Sequence, residues 1–150
     1  MLKRIFVLFV FAIFCLCGLS TQSQTGSAIT IKDAWIQQGP PSQKNTAGFM
    51  IVENHSGKEI ALISAKSDIC NVVELHKMET VNEMMRMKKV DQVVVPANGQ
   101  AEFKPGGYHL MIIGLNRALK EGEDIEVKLQ FTSNIEKTIH MQVKNRESMN

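Results

Sequence analysis

Residues 74–115 read ELHKMETVNEMMRMKKVDQVVVPANGQAEFKPGGYHLMIIGL. Apolar residues recur at every second position, and each run stops at turn formers: Val81-Asn82, then Pro96-Ala97-Asn98-Gly99, then Pro105-Gly106-Gly107. A period of two bounded by Pro, Asn and Gly is the signature of short β-strands, and nothing in the stretch repeats at the helical period. The segment is also unusual in chemistry, because Met78, Met84, Met85 and Met87 alternate with Lys77, Glu79, Glu83, Arg86 and Lys88. Methionine ordinarily fills irregular core gaps. Thioethers interleaved with charges beside His76 are not a buried strand, and soft sulfur next to imidazole points to a soft metal ion, copper(I) first.

The same punctuation continues outward. Strands are predicted at residues 29–37, 47–53, 60–66, 72–79, 84–90, 93–95, 101–104, 108–114, 125–131 and 137–143. Residues 38–45 contain Pro40 and Pro41, which lack ladder donors, and read as a loop. Ten short strands without a helix predict an all-β sandwich or barrel. There is no internal repeat and no linker, so one domain is expected.

The N-terminus is a separate unit. Lys3 and Arg4 precede an apolar run from Ile5 to Leu19, which is too short for the ~20 residues of a bilayer span. A secretory signal peptide over residues 1–20 is predicted, cleaved between Ser20 and Ser23, with a flexible leader at 21–28 and the domain at 29–147. Cys15 and Cys17 lack the small residue directly upstream that an acylated cysteine wants, so cleavage is preferred over lipidation. Cleavage removes two of the 17 basic residues and leaves 15 against 15 acidic ones. That neutral balance excludes an electrostatic footprint for nucleic acid and gives no reason for membrane association after cleavage. Cys70 is then the one remaining cysteine, a thiol expected to be buried and inert.

With Val81-Asn82 as a two-residue hairpin loop, Met78 faces Met85 and His76 faces Met87. His76, Met78, Met85 and Met87 then share one face, with Val73 and Leu75 on the core side. His109 and Met111 form a second same-face pair, with Tyr108, Leu110 and Ile112 opposite. Two such pairs joined by sheet pairing would make a site of three or four N and S ligands. Zinc favours Cys, His and carboxylate, and calcium and magnesium need oxygen, so copper is favoured by elimination as well.

His76, ten residues, Met87, twenty-one residues, His109, one residue and Met111 resemble the H-x10-M-x21-H-x-M signature of the PCuAC family of periplasmic copper chaperones. Ala34-Trp35, Ala47-Gly48-Phe49, Val73-Glu74-Leu75-His76 and Lys104-Pro105-Gly106-Gly107-Tyr108-His109-Leu110-Met111 also resemble that family, over essentially the whole mature chain. The resemblance implies a cupredoxin-like Greek-key β-sandwich that binds copper(I) through His76, Met87, His109 and Met111. It further implies delivery of copper to the CuA domain of cytochrome c oxidase, or to a thiol-containing relay protein; a monomer is expected. Residues 144–150 carry only Met149, so the second, tail-borne site of some relatives is not expected.

Storage or detoxification without handover would use the same ligands, and a structural β-sandwich would use the methionines for packing alone. A blue-copper carrier needs a cysteine beside the second histidine, and Cys70 lies six residues before His76 instead. No phosphate loop or Ser-His-Asp surroundings mark an enzyme. His55 and His140 read as structural, Met84 as core, and Met78 and Met85 as candidates for alternate ligands.

Overall fold

The computed structural model describes residues 28–145; the predicted signal peptide, residues 21–27 of the leader and the tail beyond 145 lie outside the described residues. Ten strands account for the architecture: β1 (Ile29–Gln37), β2 (Asn45–Asn54), β3 (Ile60–Lys66), β4 (Cys70–Val81), β5 (Met84–Lys89), β6 (Val93–Val95), β7 (Gly99–Phe103), β8 (Tyr108–Leu115), β9 (Asp124–Phe131) and β10 (Glu136–Lys144). Each predicted strand is present, with ends moved by at most two residues. Among the described residues the one helical turn is a 3₁₀ turn at Thr132–Asn134, where Ser133 and Asn134 take positive φ to reverse the chain.

Hydrogen bonding links all ten strands into one sheet in the order β5-β4-β8-β7-β2-β1-β10-β9-β3-β6. A bridge between Ala65 of β3 and Val73 of β4 closes it into a barrel-like ring, from which β5 projects as an edge strand. Closure removes most exposed edges, which is how an all-β chain avoids pairing with other copies. Leu62, Leu110, Ile112, Leu129, Phe131 and Met141 fill the interior, each no more than 1% exposed. Val73 and Leu75 are buried among them as the alternation requires.

Two local irregularities set the site. Ile29 and Ile36 are both buried although they lie seven positions apart, an odd offset that would put them on opposite faces of a regular strand. The strand therefore changes phase, at a bulge between Lys32 and Trp35 where Asp33 has φ 48°. The bulge turns Trp35 onto the opposite face, against Phe49 of β2.

The second is the β4–β5 hairpin, whose turn is one residue later than predicted. Asn82 and Glu83, not Val81 and Asn82, occupy it, with φ of 50° and 63°, and Val81 pairs with Met84. The reason is steric: a two-residue hairpin turn of this type needs positive φ at both central residues, which β-branched valine resists. The pairing accordingly moves by one pleat: Met78 faces Met87, Thr80 faces Met85, and His76 faces Lys89. Because the shift is even, the residues keep their faces. Met84 is a second correction. It is 55% exposed and not core, because β5 lies beyond the ring and all of its residues are exposed.

Candidate metal centre

β4 lies between β5 and β8, so its outward-facing residues meet side chains from both. Across β4 and β8 the register sets His76 directly opposite His109, and Glu74 opposite Met111. Across β8 and β2 it sets Met111 opposite Ala47 and Leu110 opposite Gly48, which brings Phe49 level with His109. The result is a row of rings running across four strands. Trp35 and Phe49 have centroids 4.5 Å apart, Phe49 and His109 6.4 Å, and His109 and His76 5.8 Å. The aromatic end of the row covers His109, which is 4% exposed, while the His76 side chain is 14% exposed.

Hydrogen bonds fix which nitrogen of each imidazole is protonated. His76 Nε2 is 2.9 Å from Glu74 Oε2, and a carboxylate only accepts, so Nε2–H donates and Nδ1 keeps its lone pair. Lys89 Nζ donates to the other carboxylate oxygen at 2.7 Å. That bond first, then the one from His76, holds the Glu74 carboxyl below its ordinary range. His109 Nδ1 is 3.2 Å from the Gly107 carbonyl, so Nδ1–H donates and Nε2 is bare. Gly107 O also accepts from the Met78 amide at 3.0 Å, fastening the turn before β8 to β4. Positive φ at Gly106 makes that turn possible.

The two lone-pair nitrogens, His76 Nδ1 and His109 Nε2, are buried and have no hydrogen-bond partner. An orphaned buried acceptor costs roughly 1–3 kcal/mol, so two from neighbouring strands require an explanation. A metal–nitrogen bond of about 2.0 Å puts an ion roughly 3.2 Å from each ring centroid, which allows centroids up to about 6.4 Å apart. The observed 5.8 Å lies within that limit. Burial is the main reason the His109 pKa lies below its ordinary value, with His76 contributing in the same direction against the opposing Gly107 bond. The ring is therefore held neutral, the form that can ligate.

The thioethers are placed separately. Met87 and Met111 line one open cleft of about 440 Å³ with Gln37, Gln43, Lys44, Asn45, Thr46 and Ala47. The imidazoles are not among its lining residues. Met111 lies two residues from His109 on the same face of β8, and Met87 lies one pleat from the position opposite His76. The structure thus brings His76 and His109 together and sets Met87 and Met111 along one cleft. Met78 shares their face and is half-buried; Met85 shares it and is 60% exposed. Among the described residues no group of three or more His, Cys, Asp or Glu side chains is placed to hold a metal.

The remaining candidates fall away. His55 and His140 are exposed and lie 3.4 Å from Glu53 and 2.9 Å from Asp124 respectively. Cys70 is half-buried, its pKa raised by burial, and six residues of extended strand put it ~20 Å from His76. Glu74 was not among the predicted site residues. A glutamate two positions before a histidine on one strand face is the signal that identifies it, obscured here by its likeness to a solvated charge.

A family described as "Putative lipoprotein LpqE-like" matches residues 29–143. A protein of Leifsonia xyli described as a lipoprotein is 26% identical over 141 residues, covering 91% of this chain and 84% of its own. The copper(I) form of DR1885 from Deinococcus radiodurans is 29% identical with a TM-score of 0.65, covering 84% of this chain and 86% of that one. The copper-bound PCuAC domain of PmoF2 superposes with a TM-score of 0.67 at 22% identity, over 79% of this chain and 93% of that domain, a likeness of fold.

Proposed function

Taking as premise that the chain belongs to the LpqE-like family, we propose that it is an exported copper(I)-binding metallochaperone working in the periplasm. His76 Nδ1, His109 Nε2 and the sulfurs of Met87 and Met111 are its ligands. One observation carries the reading: two bare, buried imidazole nitrogens on directly paired residues, each with its second nitrogen tied off. Orientation of a ligating histidine by a carboxylate or carbonyl is the usual partner arrangement at metal sites. The copper named with DR1885 supports the same cargo, and we take the barrel to be of the cupredoxin-like Greek-key type.

The chemistry is ligand exchange, not catalysis. Neutral thioethers and imidazoles stabilise the monovalent ion without deprotonation of a thiol. Met87, half exposed on the edge strand, is the ligand a receptor reaches first. Stepwise replacement by a receptor's ligands would pass the ion on to a CuA domain or a thiol-bearing relay. The test is copper(I) titration against a competing chelator. His109→Ala and Met111→Leu should each weaken binding by about tenfold or more while the apo fold persists. Full affinity in both variants refutes the site, and transfer to an isolated CuA domain tests delivery.

A further inference from the structure

Six large apolar side chains stand well exposed among the described residues, and three of them, Met84, Met85 and Met87, are on β5. Methionine used for packing looks different in this protein: Met50 and Met141 are at most 1% exposed. The β5 methionines are therefore held in water at a hydrophobic cost that packing does not offset.

The register orders them. The Met78 amide donates to Gly107 on the β8 side, so the polar backbone of Met78 points away from β5. Met78 and Met87 are consequently a non-hydrogen-bonded pair, the closer kind, with Cα atoms ~4.5 Å apart. Met85 follows two residues along β5 on the same face, ~7 Å from Met87, opposite the small Thr80. Three flexible thioethers thus converge on the face that carries His76 and His109, and Met87 belongs to both groups.

Resting on the copper reading above, we propose that Met78, Met85 and Met87 form an outer copper(I) position of three thioethers, from which Met87 carries the ion to and from the imidazole pair. Each transfer forms one copper–sulfur or copper–nitrogen bond as another breaks. The ion stays monovalent, and no electron or proton moves. Because Met87 is shared, the two positions are successive stations and not simultaneous sites.

The outer position makes two predictions. Met78 and Met85 contribute to the path and not to the final ligand set. In M78L/M85L the equilibrium copper(I) affinity should therefore stay within about twofold. Removal of copper(I) by excess chelator in stopped flow should slow by about tenfold. In H76A, silver(I), a redox-inert stand-in, should shift the ¹³C-methyl resonances of Met78, Met85 and Met87 together. Equal removal rates, or a Met85 methyl that does not move, overturns the outer position. If the unaltered protein binds no copper(I), the functional reading itself falls. If it binds through its imidazoles while Met85 stays silent, only the outer position falls.

Discussion

Glu74→Ala separates an oriented metal ligand from a histidine that is merely well packed. Glu74 makes two bonds: it accepts Nε2–H of His76 at 2.9 Å and Lys89 Nζ at 2.7 Å. The Lys89 bond ties Glu74 to a side chain that is 60% exposed, where ion pairs contribute little to stability. The fold should therefore lose almost nothing, and the urea midpoint of the apo protein should barely move. The His76 bond is different, because it selects the tautomer protonated at Nε2 and turns Nδ1 away from Glu74. Losing such a partner typically lowers metal affinity by about 10- to 100-fold. Glu74→Gln keeps an acceptor for Nε2–H but not the charge, so its loss should be the smaller one. Two assays check this: chelator competition for copper(I), and long-range ¹H–¹⁵N spectra of the imidazoles. The spectra should show His76 protonated at Nε2 and His109 at Nδ1 in the unaltered protein, and a mixed His76 tautomer in Glu74→Ala. Unchanged affinity together with a His76 protonated at Nδ1 would refute the assignment of that nitrogen as a ligand.

Other outcomes follow from burial and charge. Burial lowers the His109 pKa, so above ~6.5 both folded and unfolded forms are neutral and its contribution to stability is fully present. As pH falls below that value the unfolded chain takes up the proton first, and stability declines until the folded pKa is passed. Apo urea midpoints at pH 7.5 and 5.5 should differ, and His109→Gln should flatten that difference. His55→Ala and His140→Ala remove side chains that are 56% and 62% exposed, and copper(I) affinity should stay within about twofold of the unaltered protein by chelator competition. Leu110→Ala empties a fully buried position between His109 and Met111 and should cost about 2–5 kcal/mol in urea unfolding.

The strands were legible because each is short, alternating and bounded by residues with a specific turn chemistry. Two features were less so. The phase change in β1 depends on Asp33 taking positive φ, and aspartate does so too rarely for sequence to announce it. The β5 strand was legible as a strand but not as an edge, since whether its second face is covered depends on which strands pair across the whole chain. That is why Met84, reading as core, stands exposed. By contrast the position of the hairpin turn was legible in principle, because valine is a poor occupant of a site that needs positive φ.

The four-residue spacing carried less geometry than its regularity suggests. It does not encode His76 against Met87, since those residues are offset by one pleat, ~7 Å along the strand. It encodes parity: moving the turn by one residue moves the register by two, and every candidate ligand keeps its face. The close pair is instead His76 with His109, joined by a β4–β8 ladder between segments far apart in sequence. The imidazoles are rigid and must be placed by that ladder, with Glu74 and Gly107 setting their tautomers. The thioethers need no such precision, because three rotatable bonds let methionine make up an offset that a branched or shorter side chain could not. In the proposed site a rigid nitrogen pair would hold the ion and a long-armed sulfur pair would let it go, in keeping with imidazoles set within the sheet and Met87 on its edge.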